Sequence, residues 1–155
     1  MKSIHSIIAA LGLAFVLSAP ANAGINDPEV IIYRFPGVTD SGGFNTGVAT
    51  VFHCTNFSGA TENIRFVTRA ADGTLASNVL RSVSHLSTQS MATHFNAPYA
   101  VGNLATGAIA QGTTAIAATS INIICTAETI DASSAVPIGV ARRGIRFSPV
   151  PGSQE

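Results

Sequence analysis

Apolar and polar residues alternate with a period of two through most of this 155-residue chain. The alternation is clearest at 62–69 (ENIRFVTR), where Ile64 and Phe66 share one face and Arg65 and Arg69 share the other. Successive side chains of a strand point to opposite faces, so this pattern predicts half-buried β-strands. We find no segment with the 3.6-residue period of a helix after residue 23. The pattern therefore predicts an all-β fold.

Gly, Pro and Asn residues divide the alternating runs into short strands. Pro36-Gly37 is expected to stop the first strand, and Asp72-Gly73 predicts a tight hairpin turn, because Gly accepts a positive φ. The predicted strands are 30–35, 48–55, 62–69, 79–85, 89–95, 113–118, 121–129, 138–141 and 145–147. Short strands at this spacing predict an antiparallel immunoglobulin-like β-sandwich of about seven to eight strands. A small β-barrel is the alternative architecture.

The first 23 residues have the features of a cleavable signal peptide. Lys2 provides the positive charge, residues 7–17 form an apolar stretch, and Ala21-Asn22-Ala23 is the small-x-small pattern that signal peptidases cleave. The apolar stretch is shorter than the roughly 20 residues that a membrane-spanning helix needs. We therefore expect a signal peptide at 1–23, one β-sandwich domain at 24–148, and a mobile tail at 149–155. The expected location is the periplasm or the extracellular space of a bacterium, with no membrane-spanning segment in the mature chain.

Charge in the mature chain is low and unevenly distributed. Removing residues 1–23 leaves seven arginines and no lysine against eight acidic residues, a formal net charge of −1. Nucleic-acid binding draws most of its energy from clustered Lys and Arg, so a nucleic-acid partner is not expected. The 46 residues 82–127 contain no Asp, Glu, Lys or Arg. They are either sandwich strands with Ser- and Thr-rich outer faces or surfaces covered by a partner or a second copy.

Two cysteines, Cys54 and Cys125, lie in two of the alternating runs. An inward-facing Cys54 shares its face with Val48, Thr50 and Phe52 and leaves His53 on the opposite face. Disulfides persist in exported proteins, so we expect one structural bridge across or within the sandwich. The alternative is two buried free thiols that pack as small apolar residues.

Three histidines and a methionine are the candidate metal ligands: His53, His85, Met91 and His94. Imidazole and thioether groups bind zinc or copper, but the spacing of these four residues matches no known ligand pattern. A shared site would require several of them to meet across the sheet. The prediction is therefore no metal and no cofactor.

Catalytic motifs are missing from the sequence. It contains no Gly-x-Ser-x-Gly elbow and no HExxH, and the acidic residues are scattered. We expect a protein that is not an enzyme and has no catalytic residues. The basic cluster of Arg142, Arg143 and Arg146 is a candidate anion site, because Arg presents a planar fork to phosphate and carboxylate groups. Its alternative role is to protect a strand edge with charge.

These observations favour an exported, noncatalytic structural or interaction module of the periplasm or cell surface. Its partner is a protein, a glycan or a second copy of the chain. The alternative is a small periplasmic metal-binding or enzymatic domain that uses His53, His85 and His94, which requires at least two of those imidazoles to lie close together. An Asn56-Phe57-Ser58 sequon is interpreted as a turn after the second strand.

Overall fold

The computed structural model describes residues 28–95, 102–134, 139–142 and 144–146. These residues form two five-stranded sheets that pack face to face. The strands are β1 Val30–Asp40, β2 Val48–Asn56, β3 Glu62–Arg69, β4 Leu75–Val83, β5 Thr88–Ala92, β6 Gly102–Asn103, β7 Ile109–Ala118, β8 Ile123–Asp131, β9 Val140–Arg142 and β10 Ile145–Arg146. Sheet A has the order β10-β1-β7-β3-β4, and sheet B has the order β6-β5-β2-β8-β9. The all-β sandwich prediction is confirmed, and the described strands do not close into a barrel.

The predicted signal peptide at 1–23 and the predicted tail at 149–155 lie outside the described residues. The described part of the chain has no helix of the length and apolarity needed to cross a membrane. Antiparallel pairing dominates both sheets, and β5 with β6 is the one parallel pair among the described strands.

The first strand extends past the predicted stop at Pro36-Gly37. β1 continues to Asp40, with register shifts against β7 between Pro36 and Val38 and again between Val38 and Asp40. Gly37 has a φ of 75°, a value that an L-residue adopts only with strain. Pro36-Gly37 does change the backbone direction, but it forms a bulge within β1 and does not end the strand. The stop prediction is therefore wrong.

The boundaries of several other strands also differ from the prediction. The prediction for β3 is exact, but β4 begins four residues before the predicted Val79, at Leu75. The cause is the tight hairpin at Asp72-Gly73, where Ala70 N–H donates to Thr74 C=O and Gly73 has a φ of 85°. A turn this short returns the chain to its partner strand at once. The described residues form ten strands rather than about seven to eight, and β6 lies in none of the predicted ranges.

Large apolar side chains from both sheets fill the space between them. Phe35, Phe52 and Phe66 are at most 1% exposed, and the Phe52 ring lies 5.5 Å from that of Phe35 and 6.1 Å from that of Phe66. Aromatic pairs at such centroid distances add to the energy of burial. The alternating apolar positions of the sequence thus provide the inner faces of both sheets.

Cys54 and Cys125 form a disulfide within sheet B, between the neighbouring strands β2 and β8. The two residues lie directly opposite each other, with a Cα–Cα distance of 4.1 Å, and Cys54 is fully buried. Thr50 and Phe52 face the same interior as Cys54 and are fully buried, whereas Val48, at the start of β2, is 41% exposed and, contrary to the expectation, is not part of the core. The expected disulfide is confirmed, and it joins two strands of one sheet rather than the two sheets.

The C-terminal strands close one side of the sandwich. β9 pairs with β8 at the edge of sheet B, and β10 pairs with β1 at the edge of sheet A. Both strands are very short, with three and two residues. The opposite side of the sandwich is formed by β4 of sheet A and β6 of sheet B.

Candidate functional site

The histidines occupy three different places in the fold. His53 lies on the outer face of sheet B, His85 follows β4 in the turn to β5, and His94 is buried beyond the end of β5. Within the described residues, no group of three or more His, Cys, Asp or Glu side chains is placed to hold a metal ion. A site that all three histidines share is therefore not formed.

His53 lies between two polar neighbours on the outer face of sheet B. Its Nδ1 is 2.7 Å from Ser90 Oγ on β5, and its Nε2 is 3.4 Å from Glu128 Oε1 on β8. The His53 and Glu128 side chains are 26% and 25% exposed. Ser90 is the direct cross-strand partner of His53, and Glu128 is a diagonal neighbour. The strand register thus brings together a hydroxyl, an imidazole and a carboxylate.

These three groups resemble the parts of a hydrolytic site, in which a base activates a serine and an acid orients the base. Acyl transfer also needs donors aimed at the developing oxyanion. Ser90 is paired with His53 and comes directly before the two residues of β5 that pair with β6. The register of sheet B thus supplies the side-chain components of such a site.

His94 is paired with a carboxylate at one end of the sandwich. Its Nδ1 is 3.0 Å from Asp40 Oδ1, and the two side chains are 7% and 0% exposed. Asp40 also accepts hydrogen bonds from Gly42 N–H at 2.6 Å and from the Thr106 hydroxyl at 3.4 Å. Asp40 ends β1 in sheet A, so this contact ties sheet A to the segment that follows β5 in sheet B. His94 Nε2 is buried and has no hydrogen-bond partner within the described part of the chain.

A set of threonines continues this polar end of the sandwich. The Thr50 hydroxyl donates to Thr39 C=O at 2.9 Å, and Thr50 N–H donates to the Thr93 hydroxyl at 3.1 Å. Thr50 and Thr93 are fully buried. Because buried polar groups are costly unless they are hydrogen-bonded, this network fixes how the two sheets meet. Its role in the described structure is architectural.

The other two candidate metal ligands have structural contacts. His85 Nδ1 accepts a hydrogen bond from Gly59 N–H at 3.0 Å, which links two loops. Met91 is fully buried and belongs to the main core. The predicted strand 89–95 ends at Ala92, so Met91 and His94 do not lie on one strand as expected.

The basic residues of the candidate anion site are held along β1. Arg142 donates from Nε to the Thr129 hydroxyl and from Nη2 to the Thr39 hydroxyl, and it lines a surface cavity of about 440 Å³. Arg146 Nη2 donates to Ile121 C=O at 2.7 Å, and its guanidinium lies 5.7 Å from the centre of the Tyr33 ring. The side chain of Arg143 lies outside the described residues. Arg142 and Arg146 thus use part of their donor capacity to hold the C-terminal strands in place.

Asn56 of the sequon is fully buried. Its Nδ2 donates to Ala60 C=O at 2.7 Å and to Val83 C=O at 2.8 Å, and its Oδ1 accepts from Ser58 N–H. The side chain therefore organises the turn after β2, as the sequence predicts. Its amide nitrogen is not accessible to a glycosyltransferase.

The edges of the two sheets differ greatly in length. β6, β9 and β10 have two, three and two residues, whereas β4 has nine. Short edge strands are one of the ways in which proteins prevent unwanted strand pairing. Among the described strands, β4 is therefore the long edge. The predicted strand 79–85 lacks the first four residues of β4. The short Asp72-Gly73 turn is the sequence signal that could have placed the start of β4.

The backbone contacts of β3 show which groups of β4 face outwards. Thr119 N–H donates to Asn63 C=O, and Asn63 N–H donates to the Thr119 hydroxyl, so the backbone groups of Asn63 point to the β7 side. Backbone groups alternate in direction along an antiparallel strand. Ile64, Phe66 and Thr68 therefore bond to their β4 partners, which are Arg81, Val79 and Ser77. It follows that Asn78, Leu80 and Ser82 direct their N–H and C=O groups to the open edge.

One basic side chain partly protects this edge. Arg81 Nη1 donates to Leu80 C=O at 3.0 Å. Leu80 itself is 41% exposed, and Leu75 at the start of the strand is 50% exposed. β4 contains no proline and no other charged residue. The edge of β4 thus combines outward-facing backbone groups, two exposed leucines and one capping hydrogen bond, which Arg81 donates to Leu80 C=O.

The charge-free segment 82–127 begins with the last two residues of β4 and continues through β5, β6, β7 and the first five residues of β8. β7 is paired on both sides, with β1 and with β3. Among the described strands, β6 covers only Met91 and Ala92 of β5, and β9 covers only residues 127–129 of β8. No family model, curated protein or solved structure matches this chain. Functional inference therefore depends on the geometry.

Proposed function

We propose that this protein is an exported, noncatalytic interaction module of the periplasm or cell surface, which binds its partner by strand addition at β4. The observation that carries the proposal is the nine-residue edge strand β4, in which Asn78, Leu80 and Ser82 direct their backbone groups to the open edge and Arg81 Nη1 caps Leu80 C=O. An extended segment that adds to such an edge gains main-chain hydrogen bonds, and alternate side chains provide specificity.

The expected affinity is moderate. Each net hydrogen bond contributes about 0.5–1.5 kcal/mol, and three edge-facing residues offer two groups each. Loss of translational and rotational freedom opposes this gain. The total is appropriate for a reversible contact of small area rather than for an obligate assembly.

Two further features support an exported protein. The N-terminal 23 residues have the pattern of a signal peptide, and the described structure contains a disulfide, which persists in oxidising compartments. The mass of the exported protein tests this directly. We expect a chain that starts at Gly24 and resists alkylation until it is reduced. A retained N-terminus or free thiols would contradict the export part of the proposal.

Site-specific photo-cross-linking in the exporting cell tests the interaction surface. A photoreactive residue replaces Leu80 at the open edge, and the control position is Thr126, which is exposed on the outer face of sheet B. We expect a discrete adduct from position 80 and none from position 126. An adduct at both positions, or at neither, would refute strand addition at β4.

The His53 cluster supports a second candidate function, a small hydrolase with Ser90 as nucleophile. The observation in its favour is the pair of contacts from His53 to Ser90 Oγ and to Glu128 Oε1. A fluorophosphonate probe would then label Ser90, and the label would be lost in Ser90→Ala and His53→Ala but retained in the control Ser133→Ala. Failure of the probe to label the native protein at Ser90 would exclude this candidate.

A further inference from the structure

We infer that the segment bound at β4 is β4 of a second copy, and that the two copies form a closed two-fold dimer through this edge. The inference rests on the proposed function and names its partner. The first argument is length. Among the described edges, β4 has nine residues and the others have two or three, so the best match for β4 in another copy is β4 itself.

A contact between identical strands has a defined symmetry. When β4 pairs antiparallel with β4, each copy uses the same surface and the interface is isologous. Such an interface uses the β4 edge of both copies, so association through this edge stops at the dimer. A head-to-tail polymer would require β4 to pair with a different edge, and the other described edge strands have only two or three residues.

A bulge fixes the expected register. The pairing of β4 with β3 is irregular between Thr68 and Arg69, whose partners are Ser77 and Leu75, so Ala76 is the extra residue. The regular part of the strand therefore runs from Ser77 to Val83. Its centre is Leu80, and a two-fold axis at this point gives complete overlap of the regular parts.

This register is chemically favourable. Leu80 directs its backbone groups to the edge, so Leu80 of one copy and Leu80 of the other exchange a pair of hydrogen bonds, and their exposed side chains bury each other. Asn78 lies opposite Ser82 of the second copy. Arg81 lies opposite Val79, so the only charged residue of β4 does not meet its own copy. A register centred on Arg81 would place two guanidinium groups together, which is unfavourable.

Arg81 should weaken this dimer, because it caps a backbone group that the second strand would bind. The Leu80 C=O that accepts from Arg81 Nη1 in the single chain is the same group that would accept from Leu80 N–H of the second copy. The guanidinium therefore competes with the incoming strand for this carbonyl. Removal of the Arg81 guanidinium should tighten the dimer, whereas removal of an edge-facing N–H should abolish it.

The experiment is sedimentation equilibrium of the mature protein from about 1 μM to about 1 mM, the range expected for a small interface. We expect a monomer–dimer equilibrium in the native chain. Arg81→Ala should lower the dimer dissociation constant about fivefold, the equivalent of one hydrogen bond. The control Arg69→Ala removes the same charge from a residue that donates to Gly73 C=O in the hairpin turn, and it should change the constant less than twofold.

Ser82→Pro provides the opposite change. The Ser82 N–H faces the open edge, so proline removes no bond to β3 but blocks strand addition. We expect a monomer over the whole range, whereas the control Ser82→Ala should dimerise like the native chain. A Ser82→Pro or Arg81→Ala protein with the native dissociation constant would overturn the inference.

Amide exchange of the native protein tests the register without any substitution. Protection at Asn78, Leu80 and Ser82 should rise with protein concentration, whereas Val79 and Arg81, which bond to β3, should be protected at every concentration. A native chain that stays monomeric, or that grows into polymers, would overturn the dimer. A photo-adduct from position 80 with a different protein would then retain the proposed function, and the absence of any adduct would remove both.

Discussion

Reduction of the Cys54–Cys125 disulfide should lower the free energy of unfolding without changing the fold. The bridged residues are direct neighbours in a ladder that pairs β2 with β8 from Val48 and Asp131 to Asn56 and Ile123. The strands therefore remain held by the ladder when the covalent bond is absent. The bridge instead stabilises the protein through the unfolded chain, whose conformational entropy it lowers by closing a loop.

The magnitude follows from the length of that loop. The cysteines are 71 residues apart in sequence. In the chain-entropy model, closing a loop of this length stabilises the native state by about 4 kcal/mol at 25 °C. A domain is stable by only about 5–15 kcal/mol, so reduction removes a large fraction of the total.

The assay is urea unfolding of the mature protein, oxidised and reduced, followed by circular dichroism. We expect the free energy of unfolding to fall by about 4 kcal/mol and the m-value to rise, because an unbridged unfolded chain exposes more surface. The control is amide exchange of the reduced native state, in which β2 and β8 should keep their pattern of protected residues. A fall of less than about 1 kcal/mol, or loss of the β2–β8 pattern before unfolding, would refute the reasoning.

Asn56→Ala should destabilise the protein by about 2–4 kcal/mol in the same assay, because the buried Asn56 side chain makes three hydrogen bonds, to Ala60 C=O, Val83 C=O and Ser58 N–H; a loss below about 1 kcal/mol would contradict this role. Gly112→Ala should cost about 1–3 kcal/mol, because the added Cβ would lie 2.7 Å from Ile109 Cγ2, and native stability of this variant would show that the neighbours move aside. A hydrogen bond from a backbone amide holds the pKa of Asp72 below its usual value, and the Ser133 hydroxyl and amide do the same for Asp131. The stability from these two carboxylates should be fully present above about pH 3.9 and be lost as the pH falls through their lower native pKa values. The free energy of unfolding of Asp72→Ala and of Asp131→Ala should therefore be lower than that of the native protein at pH 6 and should equal it in acid. A difference that persists in acid would exclude the electrostatic cause.

Much of the core could be predicted from the alternating pattern. Ile64 and Phe66 are buried on one face of β3 while Arg65 is on the other, and Cys54 and Cys125 are both buried. Turn residues were less reliable predictors of strand ends, because the same residues can also form a bulge within a strand. Pro36-Gly37 forms a bulge inside β1 rather than an end, because pairing with β7 continues on both sides of it.

The candidate sites were harder to predict because they depend on distant neighbours. His53 meets Ser90 and Glu128, which are 37 and 75 residues away in the chain. His94 was expected on a strand, but its pairing with the buried Asp40 places it in the contact between the two sheets. Neither pairing can be recognised from the spacing of these residues along the sequence.

The sequence by itself determined that the chain forms strands, which faces of those strands are apolar, and that two inward cysteines are available for a bridge. Side-chain alternation carries that information residue by residue. Only the tertiary structure decided that β4 lies at the edge of its sheet while β7 is paired on both sides. The reason is that the neighbours of a strand are chosen by long-range pairing, and the backbone groups of Asn78, Leu80 and Ser82 face an open edge only because no strand was placed beside them within the described part of the chain.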